Sequence, residues 1–190
     1  SPYDVRITTN YDINDIRSSL FSVLHEGGHA IYEQNINPKL VGTRLNTGAS
    51  MGIHESQSRF YENIIGRNLS FWKKHYNKVC EILPSYSNIS LNKFKKGINS
   101  VEPSLIRIDT LGNIYSGQFL SQIEKELGPV DHLIESDKLG YINNWLRVNV
   151  HQYGLMKSPT EIIKDSCNSC IDTKPIIKYY TDKYSRIYNL

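Results

Sequence analysis

The sequence predicts a mostly α-helical domain with at most one short β ribbon. Apolar residues recur every three or four positions through most of the chain, which is the period of an amphipathic helix. Extended-type patterning is confined to residues 4–10, where β-branched side chains cluster. The 190 residues, of which 39% are hydrophobic and 22% charged, suffice for one packed core, so we expect a single domain over residues 1–190.

The helices follow in order from capping signals and the apolar period. Asp12 is a candidate N-cap, and the first helix is expected over about residues 13–34. A second helical pattern starts near residue 52 and stops before Pro84, with an end near Gly66 and a restart at Leu69. Further helices are expected at residues 90–100, 113–128, 139–154, 159–167 and 174–188.

Two histidines lie four residues apart in the first predicted helix. His25, Glu26 and His29 form the pattern His-Glu-x-x-His. Residues i and i+4 of a helix project from the same face, so both imidazoles can bind one metal ion. The flanking residues are apolar, and burying two imidazoles and a carboxylate is unfavourable unless they are ligated or hydrogen-bonded. A metal site is therefore favoured, with a hydrogen-bonded polar patch as the alternative.

A catalytic zinc site commonly has three protein ligands and one open position for water. Glu55 lies 26 residues after His29 on the second predicted helix, and its carboxylate can reach the same ion if that helix crosses the first. His54, next to Glu55, is expected to point elsewhere. The isolated histidines are predicted to be structural or on the surface: His75, His132 and His151.

Composition argues against several classes of partner. The net charge of +3 comes from 22 basic and 19 acidic residues mixed along the chain, so neither nucleic acid nor a membrane surface is expected to bind. No apolar run approaches the roughly 18–20 residues of a spanning helix, and the first ten residues lack the order of a signal peptide, which predicts a cytoplasmic protein.

Three cysteines are too few, and odd in number, for a disulfide framework. The pair Cys167 and Cys170 is interpreted as ordinary cysteines, with half of a metal or redox site as the alternative.

Successive blocks of the sequence resemble the carboxypeptidase Taq family, metal-dependent carboxypeptidases with an H-E-x-x-H site. The similar blocks are DVRITTNYD at 4–12, LFSVLHEGGHAIYEQN at 20–35, GIHESQSRFYENIIGR at 52–67, LIRI at 105–108, TLGNIY at 110–115 and WLRVNVHQYG at 145–154. The resemblance runs from end to end of the chain and keeps the block order. It implies a zincin-like helical metallopeptidase core that acts on peptides with a free C-terminus.

The resemblance also implies roles for individual residues. The metal ligands would be His25, His29 and Glu55, and Glu26 would activate the water. One divalent ion is implied, with zinc expected first, although two histidines and a glutamate also accept cobalt or manganese. The substrate's terminal carboxylate requires a cation, for which Arg107 and then Arg6 are the candidates. A surface ion pair or a structural link between helices is the alternative for each arginine.

The family pattern is incomplete in this sequence. The H-P-F block is absent, and LIRI runs directly into the next block near residues 108–110, where the family has a segment containing G-x-x-Q-D-x-H-W. Either the chain belongs to a longer protein from which these pieces are missing, or it is a truncated form. The leading interpretation is a metallocarboxypeptidase. The alternatives are a metal-binding, inactive remnant with a structural or interaction role and a zinc endopeptidase, and a homodimer is an open option.

Overall fold

The computed structural model describes residues 3–101 and 110–190, which form nine α-helices and no β-strand. The prediction of a mostly α-helical fold is confirmed. No helix within these two ranges is long and apolar enough to cross a membrane. The helices are α1 (Ile16–Gln34), α2 (Met51–Arg59), α3 (Leu69–Ile82), α4 (Leu91–Ile98), α5 (Thr110–Leu127), α6 (Val130–Glu135), α7 (Leu139–Asn149), α8 (Pro159–Cys167) and α9 (Lys174–Tyr188).

The described N-terminal residues form no strand, and the first helix starts later than predicted. Residues 4–10 carry no regular secondary structure, because the described residues offer them no partner strand. The first helix starts at Ile16 because Asp15, rather than Asp12, is the N-cap: its side chain accepts a hydrogen bond from the backbone N–H of Arg17. Asp12 accepts instead from the backbone N–H of Asn14, which makes a turn ahead of the helix.

Helix α2 continues into a π-helical segment at Phe60–Ile65, which ends at Gly66. The backbone N–H of Gly66 donates to the carbonyl of Tyr61, five residues earlier, at 2.8 Å. The chain restarts as α3 at Leu69, so the predicted break between the two helices is confirmed. The sequence did not predict the π-helical turn, a feature that is frequent at functional sites.

The expected helix at 139–154 is shorter in the structure. It ends at Asn149, because Val150 leaves the helical region with φ −128° and ψ −60°, and Gly154 has a positive φ of 50°. A 3₁₀ segment covers His151–Met156. The short helix α6, which follows Pro129, was not predicted. The two C-terminal helices have the predicted bounds.

Two apolar clusters hold the helices together. The larger one includes completely buried side chains of α2, α5, α7 and α8, among them Ile53, Phe119, Leu146 and Ile162. The smaller cluster joins α1, α3 and α4 and is mostly aromatic. Helix α2, which contributes to the larger cluster, packs against both α1 and α5.

Helices α1 and α2 approach each other closely at Gly28, which is buried. A methyl group at this position would lie 2.6 Å from the carbonyl oxygen of Gln57 and 2.7 Å from Cα of Ser58. These are backbone atoms, so no rotation of a side chain can make room for it. Glycine is therefore required at this crossing, and the crossing sets the distance between the two helices.

We expect Gly28→Ala to lower the free energy of unfolding by about 1–3 kcal/mol, because α1 and α2 must separate to admit the methyl group. Gly27→Ala is the matched control, since nothing lies within 4 Å of a Cβ added there. That substitution should raise stability by roughly 0.5–1 kcal/mol through helix propensity. Urea unfolding of the metal-free proteins measures both effects. Equal stabilisation by the two alanines would contradict the close crossing.

Candidate metal centre

The side chains of His25, His29 and Glu55 converge at the crossing of α1 and α2. Nε2 of His25 lies 3.5 Å from Oε2 of Glu55, and Nε2 of His29 lies 3.4 Å from the same oxygen. One ligand atom of each residue lies within 4.8 Å of the other two. Each side chain is about one-fifth exposed, so the group is open to solvent on one side. The structure thus brings together the three residues predicted as metal ligands. His25, His29 and Glu55 are called the ligand group below.

Local packing explains this convergence. His25 and His29 are one helical turn apart on α1, with ring centroids 4.9 Å apart and nearly perpendicular planes. Glu55 is held from behind by α5, because a Cβ on Gly112 would lie only 2.7 Å from Cγ of Glu55. The absence of a side chain at Gly112 therefore lets α5 press on the stem of this glutamate. Its carboxylate is directed at the two imidazoles.

The outer nitrogen of His25 is paired with Glu62, a residue that the sequence analysis missed. Nδ1 of His25 lies 3.1 Å from Oε2 of Glu62. Arg59 links the two carboxylates, since its Nε donates to Glu55 at 2.8 Å and its Nη1 to Glu62 at 3.1 Å. Arg67 is a second cation at Glu62, 3.4 Å away. The signal in the sequence was the recurrence of Glu55, Arg59 and Glu62 at intervals of four and three residues.

The outer nitrogen of His29 has a different partner, His54. The prediction that His54 points elsewhere is correct for the ligand group, which it does not join, but its ring contacts His29. The two Nδ1 atoms are 2.5 Å apart, and Nε2 of His54 lies 2.9 Å from Oε1 of Glu33. Glu33 is one turn beyond His29 on α1, so helical spacing could have identified it.

The electrostatics of the group favour a cation. Burial disfavours charge on His25, but its hydrogen bonds to Glu55 and Glu62 outweigh burial and raise the pKa of His25 to about 9. Burial also raises the pKa of both glutamates, but the histidine hydrogen bonds and the charge of Arg59 hold the pKa of each carboxyl below its usual range. A divalent ion can replace the proton of the imidazolium as the positive partner of these carboxylates. Two imidazoles and a carboxylate are also a donor set that suits zinc.

The remaining predicted site residues that the structure describes, Glu26 and Arg6, do not belong to the group of potential ligands. Glu26 is partly exposed on α1, and its side chain makes no hydrogen bond or ion pair with another described residue. Arg6 is 85% exposed and pairs with Asp4 at 2.9 Å, and the structure does not bring it into contact with the ligand group. Arg107 lies outside the described residues.

The other histidines and the cysteines have ordinary surroundings. His75 and His132 are exposed, which agrees with the prediction. His151 is buried, its Nε2 lies 2.8 Å from Oε1 of Gln57, and burial, with a smaller effect of His54, lowers the pKa of His151 to about 3. The cysteines are free thiols, and none belongs to a potential metal-binding group of three or more ligands within the described ranges: Cys80, Cys167 and Cys170.

Comparisons with known proteins identify the family to which this chain belongs. A family model described as "Carboxypeptidase Taq (M32) metallopeptidase" matches residues 1–110 and 109–184. Carboxypeptidase 1 of Bacillus subtilis is 34% identical over 258 residues, which cover 98% of this chain and 52% of that relative. The crystal structure of BsuCP has a TM-score of 0.89 at 32% identity and covers 95% of this chain and 50% of its own. An M32 carboxypeptidase from Deinococcus radiodurans has a TM-score of 0.94 over 100% of this chain and 52% of its own, and at 24% identity this likeness shows the fold alone.

The similarity is interrupted inside the chain. The chain spans about half the length of the curated relatives it matches. Since 98% of 190 residues is about 186 residues, about 70 of the 258 positions aligned with the Bacillus protein have no counterpart here. The two segments matched by the family model meet at residues 109–110.

We expect Glu62→Leu to lower the free energy of unfolding of the metal-free protein by about 2–4 kcal/mol. The glutamate side chain is only 12% exposed, and its removal leaves two partly buried arginines without their shared carboxylate. Glu81→Leu is the matched control, because Glu81 pairs with Lys78 where both side chains are more than 60% exposed. Its effect should stay within about 0.5 kcal/mol. Urea unfolding measures both, and a comparable loss in the two variants would refute a special role for Glu62 in stability.

Proposed function

Because the chain belongs to the carboxypeptidase Taq (M32) metallopeptidase family, we propose that it acts as a metallocarboxypeptidase that releases single amino acids from peptide C-termini. One observation carries the proposal: the Nε2 atoms of His25 and His29 converge on the same carboxylate oxygen of Glu55. Relatives named carboxypeptidase support the class of substrate, peptides with a free C-terminus. A cytoplasmic location and a homodimer stay predictions.

His25, His29 and Glu55 would hold one divalent ion, with zinc as the first choice and cobalt or manganese as alternatives. Bound there, the ion would supply Lewis-acid activation of the scissile carbonyl and of the attacking water. The direction of the two Nε2 atoms supports this assignment, because their Nδ1 atoms are occupied by outer partners. The cations at Glu62 keep that outer carboxylate charged.

Glu26 is the proposed general base. Its carboxylate accepts a proton from the attacking water and passes that proton to the nitrogen of the leaving amino acid. Two features support this role. Glu26 directly follows the ligand His25 on α1, and its carboxylate is not engaged by another described residue.

Recognition of the substrate's terminal carboxylate is assigned first to Arg107 and second to Arg6. A guanidinium can donate two parallel hydrogen bonds to a carboxylate, which an ammonium cannot reproduce. Arg6 would have to exchange its pairing with Asp4 for the substrate, and both side chains are exposed enough to do so.

A metal-binding but inactive module is the second candidate function. It is favoured by the interruption of the family similarity, since about 70 positions of the Bacillus relative have no counterpart in this chain. The ligand group does not depend on those positions, because α1, α2 and α5 assemble it from residues described here. Metal binding without hydrolysis would be the signature of this second candidate.

Measurements of zinc content and of peptide hydrolysis should distinguish the metal ligands from the general base. After dialysis, the wild type should retain about one equivalent of zinc, and His29→Ala should lose it. Glu26→Gln should keep the zinc while hydrolysis falls by roughly 100-fold or more, because the amide keeps the shape of the side chain and loses its basicity. His132→Ala, at an exposed position, is the control and should change neither quantity. Equal zinc in His29→Ala and wild type would refute the ligand assignment, and loss of zinc in Glu26→Gln would make Glu26 a ligand or a folding determinant.

Hydrolysis of one peptide, prepared with a free and with an amidated C-terminus, tests which arginine binds the substrate's terminal carboxylate. We expect Arg107→Ala to weaken kcat/KM for the free peptide by about 2–4 kcal/mol, the scale for removing one partner of a buried charge pair. The amidated peptide should stay a poor substrate, and Arg107→Lys should restore little. An unchanged preference in Arg107→Ala combined with a loss in Arg6→Ala would move the role to Arg6. Equal hydrolysis of both peptides by the wild type would indicate an endopeptidase.

A further inference from the structure

We propose that Glu33 and His54 form a relay that positions His29 by holding the proton on its Nδ1 atom. The relay runs from the carboxylate of Glu33 to Nε2 of His54, and from Nδ1 of His54 to Nδ1 of His29. It ends at the nitrogen opposite the one that faces Glu55. The inference deepens the proposed metal centre and rests on it. His54 and Glu33 are positioning residues, since neither belongs to the ligand group.

With neutral rings, only one arrangement of protons satisfies the two contacts of the relay, between Glu33 and His54 and between His54 and His29. The ionised carboxylate of Glu33 can only accept, so the proton of His54 lies on Nε2. Nδ1 of His54 is then an acceptor, and it receives the Nδ1–H of His29. The Nε2 atom of His29, which faces Glu55, then carries the lone pair that would bind a metal ion. A hydrogen bond at one ring nitrogen selects the other nitrogen as the metal ligand.

The ring of His54 is confined by two neighbours, Gly48 and Tyr32. A Cβ on Gly48 would lie 2.6 Å from Cδ2 of His54, so the loop before α2 leaves room for this ring only because residue 48 has no side chain. The backbone N–H of Gly48 also donates to Glu33, at 3.3 Å. Tyr32 also lies against this ring, with ring centroids 5.2 Å apart, and its hydroxyl accepts from the backbone N–H of Ala49 at 3.0 Å. The relay is therefore built into the packing of α1 against this loop.

Each of the two histidines of the ligand group is connected through its Nδ1 atom to a carboxylate. The two connections differ in the number of side chains involved. His25 reaches a carboxylate directly, at Glu62, whereas His29 reaches one through a second imidazole, at Glu33. Outer partners of this kind fix the orientation of a ligand ring and increase its basicity. Without the relay, the ring of His29 could rotate or present a protonated Nε2.

Zinc affinity measured by competition with a chromophoric chelator tests the relay without any assay of activity. We expect His54→Phe to bind zinc 10- to 100-fold more weakly than wild type, the usual effect of losing an outer partner of a metal-binding histidine. His54→Gln should recover most of the affinity, because its amide can accept at Oε1 and donate at Nε2. His75→Phe is the matched control, at an exposed histidine, and should leave the affinity unchanged.

Two further variants test the link from Glu33 through His54 to His29. They keep the proposal testable if the phenylalanine variant does not fold. Gly48→Ala keeps both relay residues but displaces the ring of His54, so it should weaken zinc binding several-fold. The double variant Glu33→Leu with His54→Phe should bind zinc no more weakly than His54→Phe alone. Both residues act through the same hydrogen bonds to His29, so the effects of the two substitutions do not add. Far-UV circular dichroism establishes that each variant is folded.

Zinc affinity of His54→Phe within threefold of wild type would overturn the relay, as would a glutamine variant no better than the phenylalanine variant. A wrong assignment of the metal ligands would give a different result from a wrong relay. In that case the wild type would not bind one equivalent of zinc, or His29→Ala would bind it as tightly as wild type. Tight binding by the wild type, loss in His29→Ala and no effect in His54→Phe would refute the relay alone.

Discussion

The contact between the backbones of α1 and α2 at Gly28 is the constraint on which the candidate site depends. Gly28 lies between His25 and His29 in the sequence, and it faces the backbone of α2 two to three residues beyond Glu55. Side chains can rotate to relieve strain, but two helix backbones in contact cannot. The separation of the imidazoles from the carboxylate is therefore set by the packing of the main chain. Helix α5 completes the arrangement from the other side, where Gly112 admits the stem of Glu55.

Charge balance is the second requirement at this crossing. Glu55 and Glu62 lie near each other on the helix that runs from α2 into the π-helical segment, and two carboxylates that close would repel each other. Arg59 donates to both of them and offsets this repulsion, with Arg67 as a further cation at Glu62. The same carboxylates favour a positive charge on His25, so the group is arranged to receive a cation. Its inner atoms face one another, and its outer atoms are occupied by the surrounding side chains.

This chain belongs to the carboxypeptidase Taq (M32) family and spans about half the length of the curated relatives it matches. The elements that assemble the ligand group and its outer partners all lie within α1, the loop before α2, α2 with its π-helical extension, and α5. The likeness to solved structures covers nearly all of this chain but only about half of theirs. All three potential metal ligands lie within this partial match, so metal binding can be tested separately from peptide hydrolysis.

The sequence by itself determined the helical class, most helix positions and the residues that could bind a metal, because these depend on local spacing: an i, i+4 pair on one face and an apolar period of three to four. It allowed at most a short ribbon at residues 4–10 and made Asp12 the candidate N-cap, whereas the structure has no strand there and Asp15 as the N-cap. Strand pairing depends on which partner is present, and local patterns do not contain that information. Only the tertiary structure decided that Glu62 meets His25 and that His54 meets His29. These contacts join residues 37 and 25 positions apart, and they exist because two helices cross where Gly28 has no side chain.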